Sequence, residues 1–160
     1  MSQACNKGNC NGVDRIYELS ALKVYTKDTV QYTPRTTSTV FTLNFSLRDE
    51  YSTTKGTRSC RHKDLAVEHK NAWDENTLSF KCNKDFYSKS KLFLANTELK
   101  DAAIVDLKIN KDQVGGLVES SILIYDIDSI NASDDYEFTI SLSTTDNKIF
   151  STKTNVFIKK

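Results

Sequence analysis

Residues 36–50 read TTSTVFTLNFSLRDE, and the regular alternation of apolar and polar side chains in this stretch decides the fold class. From position 41 to position 47 every second residue is apolar, so in an extended chain these side chains share one face. Residues 135–143, DYEFTISLS, repeat the pattern near the end of the chain. A period of two predicts β-strands with one buried face. The predicted core residues of the two strands are Phe41, Leu43, Phe45, Phe138, Ile140 and Leu142.

Other short runs of apolar and β-branched residues predict further strands, with turn-forming Asn, Asp and Gly between them. These runs are residues 16–26, 77–82, 91–95, 120–127 and 149–160. Short strands at this spacing predict an all-β fold, namely an antiparallel immunoglobulin-like β-sandwich of about seven strands.

The charged segment 48–76 interrupts the strand pattern, and we expect an irregular or short-helical excursion there. Leu65, His69 and Trp73 have the i, i+4, i+8 spacing of one helix face. A covering loop is the other interpretation of this segment. Further along, residues 98–112 predict one helical turn followed by an extended stretch.

The composition limits the class of protein. A chain of 160 residues can form one domain with its own core, and we assign that domain to residues 15–160. The 22 Lys and Arg nearly balance the 21 Asp and Glu, and both signs are scattered, which argues against a nucleic-acid partner. No apolar run approaches the roughly 18 residues of a membrane-spanning helix.

The N-terminal residues 1–14 are polar and contain Gly, which predicts a tether or a disordered lead-in. Ala4-Cys5 would suit the processing site of a bacterial lipoprotein, where a small residue precedes the Cys that receives the lipid. Under this favoured interpretation the protein is exported and is attached to a membrane through Cys5. The other interpretation is a cytosolic protein with a frayed N-terminus.

Three stretches are similar to those of Bacteroidetes cell-envelope lipoproteins of unknown function. They are ACNKGNCNGVDRIYELSALKVYT (4–26), TLSFKCNKDFYSKSKLFLANTELKD (77–101) and DDYEFTISLSTTDNKIFSTKTNVFIKK (134–160). The resemblance implies an exported, lipid-anchored β-sandwich of the outer membrane with no assigned activity. Acidic residues do not follow Cys5, as they often do in surface-exposed proteins of this kind, so the periplasmic and the surface side both remain open.

The acidic stretch IYDIDSINASDDYEF (124–138) has two interpretations. Asp126, Asp128 and Asp134 would supply oxygen ligands for calcium, in a loop similar to that of calcium-dependent C2 domains. Such domains also take acidic ligands from an earlier loop, and this chain has no matching loop. The polar turn of a β-hairpin is the favoured interpretation, because Asp and Asn side chains bond to nearby backbone groups in turns.

The four cysteines allow several pairings. We predict a Cys60–Cys82 disulfide, which would fix the segment 48–76 to a strand. Reduced, partly buried thiols are the alternative. A zinc site would use Cys60, His62, His69 and Cys82, although their spacing matches no common zinc motif.

Catalytic motifs such as G-x-S-x-G and H-E-x-x-H do not occur, and we predict neither a cofactor nor an enzyme. A nucleophilic pair of Cys60 with His62 or His69 is the enzymatic alternative. Trp73, Tyr51 and Tyr87 could form a sugar-stacking surface, although core packing is the more usual role of aromatic residues.

The sequence therefore predicts a non-catalytic binding or structural module of the bacterial cell envelope. Its membrane contact would be a lipid anchor, and its ligand a protein or a glycan. The first alternative is a calcium-dependent C2-like domain that binds membranes or ligands through the acidic loop 126–135. The second is the Cys/His enzyme.

Overall fold

A computed structural model describes residues 12–26, 29–31, 41–58, 66–110, 116–129 and 134–159. This part of the chain is all-β and contains one 3₁₀ turn, Lys100–Ala102, and no α-helix. The strands are β1 (Arg15–Tyr25), β2 (Thr29–Gln31), β3 (Phe41–Lys55), β4 (Val67–His69), β5 (Trp73–Cys82), β6 (Phe86–Ser88), β7 (Lys91–Phe93), β8 (Ala103–Asp106), β9 (Ile109–Asn110), β10 (Gly116–Leu117), β11 (Ser120–Ser129), β12 (Asp134–Thr144) and β13 (Ile149–Lys159).

The strands form two main sheets and one small one. The first sheet has seven strands in the order β4-β1-β3-β11-β6-β7, and β8 also pairs with β11. The second sheet has four strands in the order β2-β13-β12-β5, and β9 pairs with β10 separately. Neighbours are antiparallel except for two parallel pairs, β1 with β4 and β13 with β2.

The core contains three Phe rings that join the two main sheets. Phe45 of β3 lies in the first sheet, and its ring centroid is 5.4 Å from that of Phe80 and 4.9 Å from that of Phe138. Phe80 of β5 and Phe138 of β12 lie in the second sheet and stack at 5.7 Å. All three side chains are almost completely buried. The buried faces of the two sheets therefore pack against each other through this cluster.

The predicted alternation is confirmed on both strands that carried it. Leu43, Phe45, Phe138, Ile140 and Leu142 are each at most 1% exposed. The residues between them face outward or are half-buried. The side chain of Phe41 lies outside the described residues.

The prediction of a short helix within residues 48–76 is wrong for the described part of that segment. β3 continues to Lys55, and His69 and Trp73 lie on strands β4 and β5. The reason is tertiary, because β4 pairs with β1 and the amide of Lys70 donates to the Tyr17 carbonyl at 2.9 Å. Long-range backbone pairing thus overrides a local i, i+4 pattern. Leu65 lies outside the described residues.

The number of strands also differs from the prediction of about seven. The described part contains thirteen, of which six are ten or more residues long and the others have two to four. The extra strands are short edge and connecting pieces, which local periodicity is too brief to reveal. The helical turn followed by an extended stretch is found, as Lys100–Ala102 and then β8.

Candidate functional site

One end of the molecule brings together the connection between β4 and β5, the turn between β12 and β13, and the strand β10; we call it the loop end. The register opposes Trp73 to Thr144, so both segments leave the second sheet side by side. The Thr145 amide donates to the Ala72 carbonyl at 2.8 Å, and the Ala72 amide donates to Thr145 Oγ1 at 3.2 Å. These reciprocal bonds fix the two connections to each other.

A cavity of about 450 Å³ opens at the loop end. It is lined by residues 69–76, Ile109 and Thr145. Most of these groups are polar, with Trp73 and Ile109 supplying apolar surface. The volume falls within the range of small-molecule sites, and a few polar groups beside an aromatic ring are typical of their linings.

Asp49 of β3 joins three elements at this end. Its Oδ2 accepts one hydrogen bond from the Trp73 indole and one from the Leu117 amide, both at 2.8 Å. Trp73 is only 3% exposed, and its ring packs edge-on against Phe150 at 5.3 Å. A Cβ at Gly116 would lie 2.8 Å from Asp49 Oδ2, so only glycine fits against this carboxylate without a shift. Asp49 therefore positions one wall of the cavity.

Asn71 joins the two sheets through its side chain, which is buried with 4% exposure. Its Oδ1 accepts from the Leu19 amide at 2.9 Å, at a register shift between Leu19 and Ala21. A bulge leaves backbone groups outside the regular ladder, and Asn71 compensates for this. Its Nδ2 donates to Asp146 Oδ1 at 3.3 Å, and Asp146 also accepts from Thr144 Oγ1 at 2.5 Å.

The cations at the loop end are paired with carboxylates. Glu18 of β1 accepts from Lys148 and, at 3.0 Å, from Lys70. The hydrogen bond from Lys148, followed by that from Lys70, lowers the pKa of Glu18. The same Glu18 contact raises the pKa of Lys148, which also lies 3.6 Å from Asp146. Both lysines are therefore largely neutralised by neighbouring carboxylates.

Three aromatic side chains continue from the cavity along the first sheet, and we call them the aromatic platform: Tyr17, Tyr51 and His69. The ring centroids of Tyr17 and Tyr51 are 5.3 Å apart, and those of Tyr17 and His69 are 5.7 Å apart. Tyr51 is 50% exposed and His69 is exposed as well. Because His69 also lines the cavity, the platform and the cavity form one continuous surface.

The predicted surface of Trp73, Tyr51 and Tyr87 is wrong in two of its members. Trp73 is buried and offers little face for stacking. Tyr87 is 41% exposed, but it lies on β6, which pairs with β11 on the far side of that strand from β3. Tyr51 is exposed as predicted, and its aromatic neighbour is Tyr17.

The predicted calcium ligands are described only in part. Asp126 and Asp128 belong to the backbone of β11, and their side chains lie outside the described residues. Asp134 begins β12 and pairs with Lys84 at 2.5 Å, and that hydrogen bond lowers its pKa. No cluster of three or more potential metal-ligating side chains occurs within the described residues. The calcium site stays a prediction.

The cysteine predictions also fall partly outside the described residues, which do not include Cys5, Cys60 or His62. Cys82 is 1% exposed, and burial raises the pKa of its thiol to about 11. His69 lies on a strand of the first sheet, whereas Cys82 lies on a strand of the second. The lipid site, the Cys60–Cys82 disulfide, the zinc set and the Cys60–His pair stay predictions.

Sequence reasoning missed Asp49, Asn71 and Tyr17. Asp49 and Asn71 lie in the charged segment 48–76, where nothing in the local sequence separates a buried polar residue from a solvated one. A usable signal was the alternation of 43, 45 and 47, which continues to 49 and 51 on the same strand. It indicates that Asp49 and Tyr51 share the core-facing side of β3.

Comparisons with known proteins give little beyond the fold of the chain itself. No family model and no curated protein matches it. Among solved structures, one described as murine CRIg is similar over 88% of this chain and 98% of that chain, with 12% sequence identity and a TM-score of 0.38. Within the described residues, no helix is both long and apolar enough to cross a membrane.

Proposed function

We propose that this protein is a non-catalytic binding module with an immunoglobulin-like sandwich fold. The strand order supports the fold. The run β1-β3-β11-β8 corresponds to the A-B-E-D sheet of immunoglobulin domains, and β5-β12-β13 corresponds to the C-F-G sheet. The correspondence respects chain order in both sheets, with short strands inserted in the connections.

The core supports the same correspondence. Phe45 and Phe138 lie on the strands that correspond to B and F, which carry the inter-sheet disulfide in antibody domains. Phe80 lies on the strand that corresponds to C, where those domains have a buried Trp. Tyr136, which is buried, precedes Phe138 by two residues, the position of the tyrosine corner relative to the second Cys. Packed rings would therefore replace the disulfide.

The cavity at the loop end is the observation that carries the binding function. In the immunoglobulin correspondence it lies between the B–C and F–G connections, which include two of the antigen-binding loops of variable domains. Its walls are fixed from below by Asp49 and Asn71, both tied to strands by hydrogen bonds. A site of this kind is preformed, which reduces the entropic cost of ligand binding.

A screen for ligands tests this function. A fragment library is screened by ligand-observed NMR against the full chain, and hits are mapped on the backbone amide resonances. We expect the shifted amides to cluster in residues 69–76 and at Thr145. Ala72→Phe, which adds volume to the cavity lining, should abolish binding, whereas the exposed Asn155→Phe on β13 should not. Hits that bind elsewhere, or no hits, would contradict the proposal.

We place this module in the bacterial cell envelope as an exported protein, attached to the outer membrane by a lipid on Cys5. The support is the Ala4-Cys5 pair in a polar lead-in and the resemblance to envelope lipoproteins. Metabolic labelling with a palmitate analogue in a bacterial host tests the attachment. Incorporation should occur in the wild type and be lost in Cys5→Ser, with Cys10→Ser as the matched control. Incorporation that survives Cys5→Ser would rule out this anchor.

A further inference from the structure

We infer that the ligand of the loop-end cavity is a neutral oligosaccharide, whose sugar rings stack on the aromatic platform while its hydroxyl groups enter the cavity. This inference rests on the proposed binding function and names its ligand class. A pyranose ring has an apolar C–H face and polar hydroxyl groups around its rim. A matching site needs exposed aromatic rings directly beside mixed hydrogen-bonding groups.

The strand register brings the three rings of the platform to one face. Leu19 lies opposite Tyr51 in the antiparallel pair, and Tyr17 is two residues from Leu19, so the two tyrosines share a side. Tyr17 lies opposite His69 in the parallel pair of β1 and β4. Leu19 belongs to the core, so this is the core-facing side of the first sheet. The rings thus extend that side outward beside the end of the second sheet.

The exposed part of the platform is suited to stacking. An aromatic side chain buries a large area with only two rotatable bonds, so holding it in one orientation costs little entropy. The edge-to-face contact of Tyr17 with Tyr51 and the tilted contact of Tyr17 with His69 further restrict the rings. Centroid separations of 5.3 and 5.7 Å are comparable to the width of one pyranose.

The cavity supplies both donors and acceptors, as hydroxyl groups require. Asp74 Oδ1 accepts from the amide and from the side-chain Nδ2 of Asn76, each at 3.1 Å, and this orients both side chains. Glu75 and Asn76 are exposed in the lining. A carboxylate only accepts and a carboxamide does both, so a hydroxyl can be bonded in either sense.

The charges of the site favour a neutral ligand over an anion. Asp74 and Glu75 place negative charge in the lining, and the cation there, Lys70, is paired with Glu18. A phosphate, a nucleic acid or an acidic sugar would be repelled by these carboxylates. A purely apolar ligand would leave the polar groups without partners, which is also unfavourable.

The experiment titrates the full chain with five neutral hexasaccharides: cellohexaose, xylohexaose, mannohexaose, maltohexaose and chitohexaose. Affinity is measured by calorimetry, and the site is mapped by amide chemical shifts. We expect at least one of them to bind and to shift the amides of Tyr17, Tyr51 and His69 together with those of the cavity. Tyr51→Ala should weaken binding about tenfold or more, because one stacking contact is lost.

Two variants control for the fold. Tyr51→Phe keeps the ring and should retain most of the affinity, and Tyr87→Ala removes an equally exposed tyrosine away from the platform and should change nothing. Unchanged affinity in Tyr51→Ala would overturn the inference. So would the failure of all five sugars to shift the platform. If fragments still bind the cavity in that case, the binding function stands and only the ligand class is wrong; if nothing binds, both are wrong.

Discussion

The two sheets are joined by rings at their centre and by polar side chains at the loop end. In the centre, Phe45, Phe80 and Phe138 contact one another with almost no exposed surface. At the loop end, Asp49 and Asn71 cross from one sheet to the other by hydrogen bonds. Apolar contacts are non-directional and tolerate small shifts, whereas hydrogen bonds fix distances and angles.

This difference assigns separate tasks to the two regions. The central rings supply most of the burial and hence most of the stability. The polar contacts at the loop end contribute less to stability because each replaces a hydrogen bond to water. Their contribution is geometric, since they hold the cavity walls and the platform in one arrangement.

The largest effect is expected from truncating a ring at the centre. Phe45→Ala should lower the free energy of unfolding by about 3–5 kcal/mol, because Phe45 contacts two other rings and is fully buried. The measurement is chemical denaturation followed by circular dichroism. Thr42→Ala, on the exposed side of the same strand, is the matched control and should change stability little. Equal effects of the two substitutions would contradict the assigned face of β3.

A smaller effect is expected at the loop end from Asp49→Ala. The substitution leaves the Trp73 indole and the Leu117 amide without their acceptor, which should cost about 1–3 kcal/mol. Asp49→Asn keeps a side-chain oxygen and should cost less. Both variants are measured by the same denaturation assay. If the two substitutions were equivalent, the hydrogen bonds would not be what holds this wall.

The comparison also explains how much could be predicted from the sequence. The central rings lie on strands whose alternation is visible locally, and the buried faces of β3 and β12 follow from it. The loop end depends on partners far apart in the chain, such as Asn71 with Leu19 and Asp49 with Leu117. Local periodicity carries no information about such pairs, because they form only when the strands are already in register.

The platform shows the same limit from the other side. Tyr51 was recognisable as a candidate for stacking, but its neighbour was not. Tyr17 and His69 join it only through the antiparallel pairing of β1 with β3 and the parallel pairing of β1 with β4. The i, i+4, i+8 spacing that includes His69 and Trp73 instead suggested a helix, and β-sheet pairing overrode it.

The smallest effect is expected from acid. The Ala66 amide, followed by Arg58, lowers the pKa of Asp14, and Lys148 followed by Lys70 lowers that of Glu18. A carboxyl with a lowered pKa stabilises the fold above its unfolded pKa of about 4, and this contribution is lost as the pH falls through the folded value. Stability should therefore decline below about pH 4.

Denaturation at a series of pH values measures this decline. Asp14→Asn with Glu18→Gln removes both titrating groups, so the double variant should lose stability less steeply with acid than the wild type does. A slope identical to that of the wild type would show that these two pairs do not contribute to the pH dependence.

The fluorescence of Trp73 tests the binding claim most directly, because Trp73 is the only tryptophan of the chain and it lines the cavity. The fragments and hexasaccharides that bind by NMR or calorimetry are titrated while the emission of Trp73 is recorded. We predict a saturable change in emission with the same dissociation constant, lost in Ala72→Phe and kept in Asn155→Phe. Ligands that bind without altering Trp73 emission, equally in both variants, would contradict a binding site at the loop end.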